Sequence, residues 1–371
     1  MTLRTTAIRV GATLGAIAVA VALSSLVLLT IEVNPLEAFG AMISYAGRVD
    51  SMISIINRAV PLYISALAVA VGFQMKLFNI GVEGQYRIAA LIAAWVGGAV
   101  ALPGVLHVSL IILVAMLVGA GWAAIAGVLR ATRGVHEVIS TIMLNYIGTG
   151  LGAWLLATHL REEVEGSLVI ATRHIPESGL LPSLNPVLEA FGFEIPSGSD
   201  LQSFLLVAVL LGVAYYVIIW RTKLGFDLRA FGANAGAAEA SGVNLKRMTV
   251  VTMIISGAFA GLVVIGPILG FYGRYTTDLP IELGFTGIAV ALVGRNRPVQ
   301  MAAAAMLFAF LNRSAQILDF RGIPKEIEAI MAGIIILTVV IANEIARRVI
   351  QAQEVRDAAA RTASDAEEVT V

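Results

Sequence analysis

The stretch Phe78-Asn79-Ile80-Gly81-Val82-Glu83-Gly84-Gln85 places two amides, a carboxylate and two glycines between long apolar segments. Asn79 suits a helix N-cap, and Glu83 would then sit in the first turn, where the helix dipole favours negative charge. Those features describe a capped helix start at a membrane face. The same residues also fit a broken helix beside a water-filled path. Glycine lets backbones approach closely or leave helical geometry, and carboxylates within lipid are costly unless they face such a path. A plain cap requires neither Gln85 nor two glycines, which favours the second reading and makes Asn79, Gly81, Glu83, Gly84 and Gln85 candidate path residues.

A second polar group lies in His136-Glu137-Val138-Ile139-Ser140-Thr141-Ile142-Met143-Leu144-Asn145-Tyr146. Glu137, Thr141 and Asn145 recur every four residues, one stripe on an otherwise apolar helix. Polar stripes in lipid either join helices or line a conduit, and the sequence leaves both open. His136 has no partner at metal-ligand spacing and reads as a boundary residue.

A third segment, 221–247, carries Arg221, Lys223, Arg229, Lys246 and Arg247 around an Ala-rich stretch from Asn234 to Gly242. Asn is a good N-cap and Gly a good helix stop, so a short helix of small residues is expected there. Its thin profile suits another protein's groove. Gly232, Asn234, Ala237, Ala238, Glu239, Ser241 and Gly242 are its candidate contact residues.

Catalytic signatures do not appear. The chain has no phosphate-binding G-x-x-x-x-G-K-[ST], no H-E-x-x-H and no G-x-S-x-G. It has no cysteine, which removes disulfides, thiolate metal sites and cysteine nucleophiles together. No cofactor is expected, and an energy source would have to come from a partner.

The elements that position these groups follow from composition. Of 371 residues, 58% are hydrophobic and 13% are charged, too few charges to coat soluble domains of this length. Mean hydropathy is +0.88. Lipid is the solvent for most of the chain, and with a formal net charge of zero, bulk electrostatics gives no reason to expect nucleic acid. Apolar segments run near 10–30, 58–75, 86–102, 105–129, 138–158, 202–220, 248–270, 282–294, 299–313 and 326–343. The first is long for a signal peptide and reads as an uncleaved span. The expectation is an all-α polytopic protein of about ten spans.

The positive-inside rule tests that count. With both termini in the cytoplasm, most of the 25 basic residues fall inside, among them Lys76, Arg87, Arg130, Arg133, Arg347 and Arg348. Dropping the short segment 282–294 would put Arg347 and Arg348 outside. Residues 1–345 form one transmembrane domain in this reading, with an external proline-rich, acidic loop at 159–200, readable as a docking surface or as a solvated loop. Residues 346–371 read as a helix end fading into a disordered cytoplasmic tail. Gly81-x-x-Gly84 and Gly284-x-x-Gly287 each open an Ala-rich apolar helix, from opposite sides, so spans 2–5 and 7–10 could be inverted repeats.

Together these segments resemble the permease subunits of the nucleoside and simple-sugar ABC importers, relatives of the ribose and branched-chain amino-acid permeases. The resemblance rests on 78–85, on Glu137 to Tyr146, on the Gly225 to Asn244 loop, and on Gly284 to Pro298. It implies a bacterial inner-membrane protein paired with a second permease. ABC ATPase subunits would contact Asn234 to Gly242 as a coupling helix, and an external binding lipoprotein would deliver solute. The Asn-Ile-Gly-Val-Glu-Gly-Gln form looks more like the nucleoside branch. The competing reading is a self-sufficient secondary transporter with Glu83 as its coupling carboxylate.

Overall fold

The computed structural model describes residues 3–163 and 169–368, so parts of the 159–200 loop and of the tail, residues 164–168 and 369–371, lie outside the described residues. Among the described residues the architecture is all-α. Strand pairing is limited to isolated bridges such as Arg161 with Thr172 and Ala171 with Thr276.

The chain divides into two compact units. One joins Met1–Tyr45 with Leu311–Val371. In it, α1 (Leu3–Thr30) is followed by α2 (Pro35–Ala46), and α1 packs along α15 (Ile327–Glu368). The apolar part of α1 and α2 are bent by 115° across a short break that begins helix α2 at a proline. α15 continues through the stretch read as a fading, disordered tail. Glu344 explains part of this, because it holds Arg347 at 2.8 Å and Arg348 at 2.8 Å, one turn along the same helix.

The other unit, Ala46–Phe310, contains the candidate site. Its helices are α3 (Val49–Gln74), α4 (Val82–Ala99), α5 (Gly104–Arg133), α6 (Glu137–Leu155), α7 (Asn185–Ala190) and α8 (Phe204–Arg221). They continue with α9 (Lys223–Ala233), α10 (Ala235–Ala240), α11 (Leu245–Gly261), α12 (Ile265–Pro267) and α13 (Leu283–Val293). α14 (Pro298–Phe320) begins here. α6 and α12 each run on into one wider π-turn, at Leu156–Leu160 and Ile268–Tyr272.

α3 and α11 form the centre, with 67% and 72% of their spanning windows buried, against 22% for α5 and 28% for α8. α11 meets α5 through small residues four apart. A Cβ on Gly257 or Gly261 would collide with the α5 backbone at Gly119 and Ala115, so the two helices touch main chain to main chain. α5 ends at Gly134, whose φ of 68° turns the chain in the left-handed region.

Every expected apolar segment is helical, but length and composition do not give ten spans. Among the described residues seven helices qualify, or eight if the bent α1–α2 pair is one. The two others are α4 and α13. α4 has 18 residues and opens with Glu83, Gln85 and Arg87, while α13 has only 11. α4 falls short through the polar residues of its first turns, and α13 through its length alone.

The 159–200 loop is ordered where described. His107, fully buried, reaches Ser178 Oγ and Gly97 O at 2.9 Å each. Ile175 and Leu181 donate backbone N–H groups to Gly273 and Leu269, strapping the loop to the end of the α11–α12 span.

Candidate functional site

The junction is organised by Glu83, which is 6% exposed. Its Oε1 accepts the backbone N–H of Glu282 at 3.0 Å and the Tyr86 hydroxyl at 2.7 Å. Its Oε2 accepts the N–H of Gly284 at 3.0 Å. The carboxylate in the first turn of α4 therefore caps α13, so two helix N-termini meet at one negative charge. Glu282 adopts φ 63° to deliver its N–H, a conformation costly for a non-glycine residue. Gly284 and Gly287 make the approach possible. A Cβ on Gly284 would strike the Glu83 backbone, and one on Gly287 would strike Ser65, whose hydroxyl donates to Leu283 O at 2.8 Å.

Asn79 does not cap α4; that position belongs to Gly81, without a side-chain bond. Instead the Asn79 and Gln85 amides pair reciprocally at 2.8 and 2.9 Å. Asn79 Nδ2 also donates to Ser256 Oγ at 2.8 Å, and Ser256 donates to Ala68 O at 2.6 Å. Helices α3, α4 and α11 are thereby tied through one buried network. Such a network is stabilising only when all its members are bonded.

The stripe on α6 meets this stretch residue by residue. Glu137 Oε1 accepts the Phe78 N–H at a long 3.4 Å, and Glu137 pairs with Arg130 at 3.3 Å. Thr141 lies beside Gly81, where a Cβ would come within 3.0 Å of it. Asn145 bonds Ile80 O at 2.9 Å and the Gly84 N–H at 2.8 Å. A Cβ on Gly84 would approach the Asn145 Cα to 2.9 Å. All eight candidates thus converge, with their polar atoms turned onto the protein. His136 accepts the Val138 N–H at 3.3 Å and caps α6.

Beyond the junction lies a cavity of about 110 Å³, lined by Tyr86, Arg87, Thr149, Tyr275, Thr276 and Thr277 together with small and aliphatic residues. Arg87 donates to Thr149 Oγ1 at 3.4 Å, and Tyr275 lies in the same lining. Sequence reasoning missed this group and assigned Arg87 to the inner loops. Its neighbour Thr149 lies about 18 Å along α6 from Glu137 at a rise of about 1.5 Å per residue, midway along the candidate span Glu137–Leu160. A polar hydroxyl four residues past Asn145 was the available signal.

The family model for the branched-chain amino acid transport system permease component matches residues 51–340, well over half of the chain. The chain belongs to this permease family. The permease is 34% identical over 327 residues to a glucose ABC transporter permease of Haloferax volcanii, covering 86% of this chain and 83% of that one. A guanosine ABC transporter permease of Bacillus subtilis is 38% identical over 291 residues, with coverage of 76% and 79%. A nucleoside ABC transporter permease of Lactococcus lactis is 30% identical over 324 residues, with coverage of 86% and 87%. Among solved structures, a metal-chelate type ABC transporter in an inward-facing conformation aligns over 81% of this chain and 84% of that one. At 14% identity and a TM-score of 0.42 it is too distant to bear on the architecture. The protein is a membrane-embedded permease subunit of an ABC importer; it is not an enzyme, and ATP hydrolysis falls to separate subunits.

In this permease the 221–247 segment forms two helices that meet at Asn234. Asn234 Oδ1 accepts the Ala237 N–H at 3.0 Å and caps α10. Gly242, at φ 87°, ends it, and the Val243 N–H returns to Ala238 O at 3.0 Å. Ser241 donates to Ala237 O at 2.9 Å. Ala237, Glu239 and Ser241 are exposed, whereas Ala238 is 4% exposed and packs inward. Gly232 lies against the Gln74 carbonyl at the end of α3, with no room for a Cβ.

Proposed function

We propose that this permease, with a second permease subunit, forms the path of an ATP-driven importer for nucleosides. It would lie in a bacterial plasma membrane with both termini in the cytoplasm. ABC ATPase subunits would seat on Gly232 to Gly242, and an external lipoprotein would deliver solute. The observation that carries this is the meeting of two helix N-termini at Glu83. Transporters build their solute paths around such interrupted helices. Two relatives are named for guanosine and nucleoside transport, and one for glucose.

Asn79, Gly81, Glu83, Gly84, Gln85, Glu137, Thr141 and Asn145 shape the wall of the path in this reading, because they hold the start of α4 against α6 and α13. Glu83 is poorly placed to shuttle a coupling proton, since both of its oxygens are already engaged by three donors of this chain. Gly81-x-x-Gly84 and Gly284-x-x-Gly287 meet at Glu83, which gives the suggested inverted repeat a junction. The test is uptake of labelled guanosine into proteoliposomes holding the full importer. Uptake should require ATP and the ATPase subunits. Uptake that persists without them would instead support the secondary-transporter reading.

A further inference from the structure

The cavity at Arg87 has a chemistry that its depth does not explain. Thr149, which Arg87 contacts, sits about 18 Å along α6 from Glu137, near the middle of the candidate span Glu137–Leu160. Charges at that depth face water-filled cavities and mark solute pathways. Arg87 touches the Thr149 hydroxyl, while Glu83, one turn back on α4, has its oxygens committed to Tyr86 and α13. A guanidinium has five N–H donors, so this one bond leaves donors for a further group. Thr149 and Thr277 are exposed at the cavity edge, whereas Thr276 is buried. The space holds several waters' worth of solute.

We infer that this cavity is a station for the base of a purine nucleoside, read by the N–H fork of Arg87. The inference rests on the nucleoside reading above and adds the site and the kind of base. Two parallel N–H groups match the adjacent carbonyl oxygen and ring nitrogen on the edge of a 6-oxopurine, a pair that uracil, whose ring N3 carries a hydrogen, lacks. The Tyr86 and Tyr275 rings stand in the wall, where bases stack. The threonine hydroxyls can donate to and accept from ribose. The negative charge of Glu83 offsets Arg87, so a neutral solute suits the site.

The experiment compares initial guanosine and uridine uptake by the intact importer in proteoliposomes, with the binding protein unchanged. Arg87→Lys keeps the charge and loses the fork, and should lower guanosine uptake about ten-fold or more while uridine falls far less. Equal losses, or none, overturn the inference. Wild-type rates in Arg87→Lys with loss in Arg87→Gln would indicate a point-charge anion site and also overturn it. Thr149→Ala removes the hydroxyl that accepts from Arg87 while keeping the arginine itself, and so probes the station apart from the arginine variants. It should lower uptake of both nucleosides a few-fold, and wild-type rates for it overturn the station. A wild-type importer that carries glucose and neither nucleoside overturns the nucleoside reading, and this inference with it.

Discussion

The Glu83 carboxylate accepts the backbone N–H of Gly284 at 3.0 Å across 201 positions of sequence. One side chain in the first turn of α4 thus serves as the cap of α13, and the pair fixes where both shortened helices begin. Glu83→Ala would leave the Glu282 and Gly284 N–H groups buried without an acceptor. A cost of about 1–3 kcal/mol for each such group is expected, together with loss of uptake. Intrinsic tryptophan fluorescence on heating of the purified complex reads the stability. A variant that melts with the wild type and transports normally would show that the junction is dispensable.

Close packing at the same junction predicts a sharp contrast between glycines. Gly287→Ala forces a Cβ into Ser65, and Gly284→Ala forces one into the Glu83 backbone. Such overpacking costs about 1–3 kcal/mol and occasionally more. Gly121 has no neighbour within 4 Å, so Gly121→Ala should be neutral or slightly stabilising. The yield of monodisperse permease after detergent extraction separates them. Equal yields for all three would contradict the geometry.

Legibility in the sequence followed the range of the interactions. The apolar segments were readable because hydropathy is local, and α10 because its Asn234 cap and Gly242 stop act within a few residues. The partner of Glu83 was not readable, since its donors are backbone N–H groups 199 and 201 positions away and carry no side-chain signature. Asn79 looked like a cap because caps are the common local use of Asn, whereas its amide is consumed by Gln85 and Ser256. Arg87 was counted with the loop-end basic residues because charge counting reads position in the sequence and not the Thr149 hydroxyl that the guanidinium meets on α6. The α15 extension was missed because a mixed-charge, Ala-rich segment has the composition of a tail and also the composition of a good helix.

Orientation can be tested on a background that has no cysteine. Ser197 is exposed in the loop expected outside, and Ser241 is exposed at the end of α10. Ser178 is a poor reporter because it is half-buried against His107. Ser197→Cys should react with a membrane-impermeant maleimide added to intact cells, and Ser241→Cys should react only after lysis. The opposite pattern would reverse the orientation.

The last prediction concerns the seat of the ATPase. α10 presents Ala237, Glu239 and Ser241 to solvent while Ala238 faces inward, so only the first group can meet a partner without disturbing this chain. With the ATPase seated as proposed above, an arginine at position 237 would bring a long, hydrated charge into the interface, where desolvation without a partner is costly. An arginine at position 238 would strain the permease itself, and its effects could not be assigned to the interface. Ala237→Arg should therefore leave extraction and melting unchanged while reducing the ATPase stimulation produced by the loaded binding protein, about ten-fold or more for a fully desolvated contact. ATP hydrolysis by the complex in lipid, with and without the loaded binding protein, provides the measurement. Glu239→Lys, exposed on the same helix, gives a second reading with a different side chain. Stimulation that survives both substitutions would place the coupling contact elsewhere on the cytoplasmic surface.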